Sequence, residues 1–363
     1  KCHGGTLFLD EIGELPLDWL PLKEKGIASQ GFDQLSFFKT CTKEAFLVPS
    51  VTALPELIRT AFRIATAPRP GPVALIIPHD IFDAEWDEEV LKIRVDDRAR
   101  QIPYLRSCAP HGEIARAAAL IRRAKRPALV CGGGVHGSEA TAEVTAFADR
   151  LDGLVVTSLS GKGSVPETRD YAAGVLNPLG SKAAIDLVRE ADLVIWCGSK
   201  VSQNTGMNWS LPLPEQATIT IDADPLEHGR TFRPTVALLG DVRETMAAID
   251  AAIVEIPAHP EWRARIAEVK AACDADKRAE IESDRMPIQP PRVMAEIARR
   301  LGAEDIVVSD ASFSAGWISG YIPAKRAGRQ FLFARGQGGL GYSVPAAIGA
   351  AAVRPDARIV TVA

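Results

Sequence analysis

Gly336-Gln-Gly-Gly-Leu-Gly-Tyr-Ser-Val-Pro-Ala-Ala-Ile-Gly-Ala-Ala-Ala-Val-Arg-Pro-Asp-Ala-Arg-Ile-Val-Thr-Val-Ala363 is the stretch on which the reading of this chain turns. Glycine has no Cβ and tolerates positive φ, so a glycine-dense loop lets backbone approach a ligand closely. Pro345 to Val353 reads as a small-residue helix, and Arg358 to Ala363 as a buried strand whose next loop would lie beyond the chain. Loop, helix and strand in that order form an α/β unit with a ligand-facing turn.

Working outward, the same beat repeats. An apolar helix from Leu54 to Ala65, the turn Arg69-Pro-Gly-Pro and a buried strand from Val73 to Pro78 make one α/β piece. Asp83 to Pro110 is charged and proline-containing and reads as a linker. Helix Glu113 to Lys125 then leads to strand Pro127 to Cys131 and the turn Gly132-Gly133-Gly134, and helix Ser138 to Leu151 leads to strand Leu154 to Ser158. Helix Lys182 to Glu190 leads to strand Asp192 to Cys197, and strand Ala217 to Asp222 runs into Asp224-Pro225. Four buried strands alternating with helices imply a parallel sheet covered on both faces, with ligands at the carboxyl ends. Ile256 to Pro291, rich in Glu, Lys and Arg, reads as a solvated helix plus linker, and a third unit starts with helix Val293 to Leu301 and strand Asp305 to Ser309.

A chain of 363 residues suits two or three such domains. The net charge of -4, with both signs interspersed, argues against a nucleic-acid or anionic-membrane surface and leaves small-molecule chemistry as the default. No apolar run reaches the roughly 18 to 20 residues that cross a bilayer, and no signal-peptide layout opens the chain, so the expected location is cytoplasmic. The six cysteines have no Cys-x-x-Cys spacing and the histidines no metal-ligand spacing, so buried free thiols and no metal site are expected.

The glycine loop, its helix and its strand resemble the pyrophosphate-binding domain of thiamine diphosphate (ThDP) enzymes of the acetolactate synthase-like kind. The resemblance covers roughly residues 28 to 363. It implies parallel-sheet α/β domains: the end of a pyrimidine-binding domain over 28–95, a Rossmann-like (DHS-like) central domain over 113–255, and the start of the pyrophosphate-binding domain over 289–363. It further implies ThDP with Mg²⁺, a 2-oxo acid substrate, and a homodimer or homotetramer. Matching Gly341-Tyr-Ser-Val-Pro345 to the family's Gly-Phe-Gly-Leu-Pro places Leu340 beneath the cofactor as the wedge that keeps it bent. Acetolactate synthases usually have methionine there. Gly338 would supply the carbonyl for the cofactor's amino group. Ser312 and Phe313 stand in the loop that contacts the diphosphate, where acetolactate synthases carry Gly-Gln-His. Gln30 matches an active-site glutamine, and Lys43 a lysine near the substrate entrance. The residues alone fit an ordinary polar loop as well as these roles, and a core leucine as well as a wedge.

In the central domain, Gly133, Lys200, Asp222 and Asp224 stand at strand ends where the family holds FAD. Lys200 replaces an arginine usual in FAD-binding members, so FAD, ADP or no nucleotide all remain open there. The family's activating glutamate and its Gly-Asp-Gly metal loop are expected outside the chain, which begins without methionine and ends on a strand, so this piece alone is expected to be inactive.

Residues 1–27 follow a different pattern. Gly4-Gly-Thr-Leu-Phe-Leu-Asp-Glu-Ile-Gly-Glu-Leu-Pro-Leu17 resembles the Walker B strand of sigma-54-dependent AAA+ transcriptional activators, where Asp10 and Glu11 would serve magnesium-bound and attacking water. No Gly-x-x-x-x-Gly-Lys-Ser/Thr loop accompanies it. A joined gene fragment, a short apolar strand and a disordered tail all fit. An ATP-binding activator piece and a non-catalytic nucleotide-binding module are thus the alternatives to the ThDP enzyme.

Overall fold

The computed structural model describes residues 7–10, 33–87, 98, 101–336 and 338–363. It divides into two compact units, residues 1–106 and 107–363. Gln30, Glu11 and Cys2 lie outside the described residues.

The first unit is a parallel sheet in the order β1 (Leu7–Asp10), β3 (Val73–Ile76), β2 (Glu44–Leu47). The Val-Ala-Leu-Ile of β3 is buried throughout because the strand is central and covered on both faces. Helix α2 (Leu54–Thr66) sets Ala61 and Ala65 against Val73 and Leu75, while Leu35 and Phe38 of α1 (Gln34–Cys41) pack on Ala74 and Ile76. The Walker B-like strand is therefore a neighbour of β3, with Leu7 opposite Val73 and Asp10 opposite Ile76.

In the second unit, six parallel strands run in the order β6 (Ala172–Val175), β5 (Leu154–Thr157), β4 (Pro127–Cys131), β7 (Leu193–Cys197), β8 (Ala217–Asp222), β9 (Val236–Leu239). This is the Rossmann order, with its switch point between β4 and β7. Successive side chains of a strand point to opposite faces, so the all-apolar β4 and β7 feed two cores. Leu129 and Ile195 meet α3 (His111–Arg123), α5 (Thr141–Leu151) and α7 (Val242–Ala252) through Ile121, Phe147 and Met246. Val130 and Trp196 meet α6 (Lys182–Glu190) through Leu187 on the other face. Two strands beyond the four expected, β6 and β9, occupy the edges. The Ala-Ala-Gly-Val of β6 carries little strand signal, and the Val-Ala-Leu-Leu of β9 is apolar but only four residues long. Gly133 to Gly137 forms a short helix, α4, where a turn was expected.

Helix α8 (Pro260–Ile281) departs most from its composition. It is no solvated linker helix. Trp262, Ile266, Val269 and Cys273 recur at helical spacing and are buried against the second core, and the Trp262 indole donates to the Pro127 carbonyl at 3.1 Å. Charge on the outer face masks a narrow apolar stripe, as in the Arg265 guanidinium that grips both oxygens of Glu190 at 2.8 and 3.0 Å.

The rest of the unit is a parallel sheet in the order β11 (Phe331–Phe333), β10 (Ile306–Ser309), β12 (Ile359–Val362). Helices α9 (Pro290–Arg300), α10 (Phe313–Tyr321) and α11 (Ser343–Val353) accompany it, with Met294, Val307, Ile318 and Phe331 in its core. No helix among the described residues is long and apolar enough to cross a membrane. The described cysteines are free; Cys131, Cys197 and Cys273 are buried, whereas Cys41 and Cys108 are exposed, contrary to the expectation of buried thiols for these two.

Trp262→Ala should cost about 3 to 5 kcal/mol, the usual range for removing a packed indole. Urea unfolding measures the loss. Native-state proteolysis should spare 260–281 in the wild type and cut there in the variant.

Candidate cofactor site between the two lobes of the second unit

Strand β10 is central in its sheet, so the loop after it emerges at the middle of the carboxyl edge. There Ser312 adopts φ 78° and ψ −150°, a region that L-residues avoid, and α10 starts at once with no side chain capping its first turn. Strain of this kind, about 1 to 3 kcal/mol, persists only where surrounding structure enforces it, and it clusters at functional sites. The uncapped helix start leaves backbone N–H groups free to receive an anion.

The glycine loop meets this turn. Gly338 and Gly341 have φ of 65° and 86°, which a side chain would strain. Asp310 ties the two loops together: one carboxylate oxygen accepts from the Gly341 amide at 3.0 Å and the other from the Ser343 amide at 2.6 Å, at the start of α11. Those amides, Ser343 first, hold the Asp310 carboxyl below its ordinary range. A Cβ on Gly338 would stand 3.8 Å from that of Ala311, so the two loops are neighbours. Ser312, Phe313, Gly338 and Leu340 are thereby brought to one edge. Phe313 is 65% and Leu340 78% exposed, two large apolar groups that the described chain leaves uncovered.

Beside them is a cavity of about 400 Å³ whose walls come from both lobes. The central domain contributes Leu159, Asn177 and Asn204, and the other lobe Ser312, Phe313 and Arg335. Asn177, Asn204 and Arg335 did not emerge from the sequence. Arg335 follows β11, a three-residue strand with no readable pattern; had it been recognised, Arg335 would have stood at a strand carboxyl end, where ligands bind.

The lobes are joined next to this cavity. Lys162 is fully buried, with its ammonium 2.6 Å from Glu167 and 4.8 Å from the centre of the Phe331 ring. Burial pushes the Lys162 pKa down, and the Glu167 carboxylate opposes that shift. Glu167 also accepts from the Ala324 amide at 2.9 Å, and the Gly328 amide donates to the Gly163 carbonyl at 2.8 Å.

The proposed nucleotide residues share one sheet end, but the protein itself engages them. The Gly132 amide donates to the Cys197 carbonyl at 2.8 Å and the Gly134 amide to the Gly198 carbonyl at 2.9 Å, across the switch point. A Cβ on Gly132 would lie 2.1 Å from the Gly198 oxygen, so the backbone of this chain already demands that glycine. A Cβ on Gly133 would come within 3.0 Å of Ser160 Cβ. Lys200 lies 3.4 Å from Glu227. Asp222 accepts from the Asp224 amide at 2.9 Å, Asp224 accepts from the Leu226 amide at 3.0 Å, and burial raises the Asp222 pKa. These contacts do not by themselves call for FAD.

In the first unit, Lys43 donates to the Ile64 carbonyl at 2.7 Å and lies 3.5 Å from that of Pro68. It thus caps the last turn of α2, where carbonyls lack helical partners. Among the described residues no group of three or more His, Cys, Asp and Glu could hold a metal ion.

Comparison with known proteins decides the family. Residues 114–249 match the thiamine pyrophosphate enzyme central domain, and residues 310–363 match the thiamine pyrophosphate enzyme C-terminal TPP binding domain. The chain belongs to the thiamine diphosphate-dependent enzymes. It is 32% identical to a probable acetolactate synthase large subunit of Methanocaldococcus jannaschii, over 92% of this chain and 57% of that protein. It is 30% identical to the acetolactate synthase large subunit of Corynebacterium glutamicum, over 98% of this chain and 58% of that one. It is also 33% identical to a probable 2-ketoarginine decarboxylase of Pseudomonas aeruginosa, over 96% and 61%. The chain thus spans 57 to 61% of the length of these relatives. With 98% of the chain aligned to the Corynebacterium protein, most of residues 1–27 lie inside that match.

Asp310→Ala should free the Gly341 and Ser343 amides, and both should exchange with solvent faster in hydrogen-exchange measurements. In the wild type the anchor is fully present above the ordinary carboxyl value of 3.8 and is lost as pH falls through the depressed one. Protection of these amides should fall over that acidic window, and the alanine variant should show no such step.

Proposed function

We propose that this chain is the cofactor-carrying part of an enzyme that decarboxylates a 2-oxo acid and passes the remaining unit to a second carbonyl or to a proton. The observation that carries this reading is the convergence of the strained Ser312 turn and the Leu340 loop on one cavity, held by Asp310. ThDP would bind with its diphosphate at the uncapped start of α10 and the Ser312 hydroxyl, beside Phe313. When bound, it supplies a sink for the negative charge that remains on the substrate carbon as carbon dioxide leaves. Gly338 would orient the aminopyrimidine through its carbonyl. Leu340 would lie beneath the ring system and hold it bent, which gives a large exposed apolar side chain a partner. Phe313 and Leu159 would keep water from the reacting carbon.

Mg²⁺ is proposed as the companion of the diphosphate. Gln30 and Lys43 keep their assigned places near the substrate by resemblance alone, and so does a nucleotide, FAD or ADP, at Gly133, Lys200, Asp222 and Asp224. A carboligation of the acetolactate type agrees with most of the relatives named, while Ser312-Phe313 in place of Gly-Gln-His argues against a biosynthetic acetolactate synthase. Turnover is proposed for the whole protein rather than for this chain. Within the Walker B-like stretch, Leu7–Asp10 pairs with β3 and is read as part of the first unit's sheet rather than as an ATPase element. A homodimer or homotetramer would cover the apolar face of α11, where Val344, Ile348 and Val353 are exposed.

Calorimetry with ThDP and magnesium, beside carbon dioxide release from a panel of 2-oxo acids by the whole protein, tests the proposal. Failure of both binding and release would remove it. Leu340→Ala should lower kcat by about one to three decades and cofactor affinity by less, since each ~1.4 kcal/mol lost from the transition state is a tenfold loss of rate. An unchanged kcat in a folded variant would take Leu340 out of the site.

A further inference from the structure

Arg335 is the one charged residue among the described residues that line the 400 Å³ cavity. Other arginines of this lobe have partners: Arg326 is 2.9 Å from Glu304, Arg354 is 3.3 Å from Asp356, and Arg358 pairs with Asp305. Arg335 has no carboxylate or carbonyl within reach among the described residues. Arg329 is likewise without a carboxylate, but it does not line the cavity. Arg335 is exposed at the mouth of the cavity, and the desolvation its surroundings impose lowers its pKa. A guanidinium cannot discharge at neutral pH, and its planar fork matches a carboxylate in bidentate fashion. The rest of the wall is neutral, with Asn177 and Asn204 opposite and Leu159 and Phe313 as apolar surface.

We propose that Arg335 is a specificity-determining residue that binds a second, distal carboxylate of the reacting acid, so that the substrate class is a 2-oxo diacid. This rests on the ThDP reading above. The carboxylate next to the keto carbon is a poor candidate for the guanidinium. That group departs as carbon dioxide, and a firm clamp on it would stabilise the ground state more than the transition state. A carboxylate at the far end keeps its charge throughout, so binding it positions the keto carbon without opposing the chemistry. The uncapped start of α10 already offers the diphosphate an anion site, which leaves Arg335 for the substrate.

The test is a calorimetric titration of the whole protein with glutarate, a non-reacting diacid, for the wild type, Arg335→Gln and Arg335→Lys, with ThDP and magnesium titrated separately into each. Glutarate should bind the wild type, and Arg335→Gln should weaken it tenfold or more. Arg335→Lys should retain part of the affinity, and ThDP affinity should stay within about twofold throughout, since tenfold corresponds to ~1.4 kcal/mol and a lost bidentate pair exceeds it. An unchanged melting temperature confirms that the variants are folded, as expected for an unpaired side chain. Absence of glutarate binding to the wild type, or equal binding to Arg335→Gln, overturns the proposal. So does a tenfold loss of ThDP affinity in Arg335→Gln, which would give the guanidinium to the diphosphate. If the wild type binds glutarate but not ThDP, the ThDP reading fails while the anion site stands.

Discussion

The position of the site depends on the buried pair of Lys162 and Glu167. Neither side chain reaches water to any extent, with 0% and 7% exposure, so both charges have lost their hydration. Only mutual attraction, the Ala324 amide and the face of the Phe331 ring return part of that cost. An arrangement of this kind tolerates little displacement, because moving either partner leaves an uncompensated charge in a dry interior, a change that commonly costs about 3 to 5 kcal/mol. Lys162 and Glu167 belong to the central domain, whereas Ala324 and Phe331 belong to the cofactor-binding lobe. The pair therefore fixes the register between the two walls of the cavity. Asn204 on one side and Arg335 on the other face the same space because this joint holds.

What the sequence reveals follows the strength of its physical signal. Strands buried on both faces are written as unbroken apolar runs, and β4, β8 and helix α6 are readable to the residue. The edge strand β6 is built mostly of alanine and glycine, and β9 and β11, though apolar, span only four and three residues, so the residues that follow them escape notice, Arg335 among them. Helix α8 is misread for the opposite reason. Its charges are many and its four buried positions few, and composition outweighs a stripe that only spacing discloses.

The candidate site is legible in the same uneven way. The Leu340 loop and the Ser312 turn are recognisable one at a time, but nothing in their spacing says that Asp310 binds them together. The central-domain glycines teach a different lesson. Gly132 and Gly134 stand where a dinucleotide would approach, yet the neighbouring loop at Gly198 already fills that space. A glycine at a strand end records a close approach, and the approaching group here is the chain's own backbone.

Ser312 has a consequence for how this protein can change over evolutionary time. Glycine would accept its backbone conformation without strain, and any other residue there makes the fold less stable than it could be. Selection for robustness alone would drift toward glycine at this position. Keeping a hydroxyl at this turn therefore has a standing cost in stability, which glycine in its place would remove together with the hydroxyl.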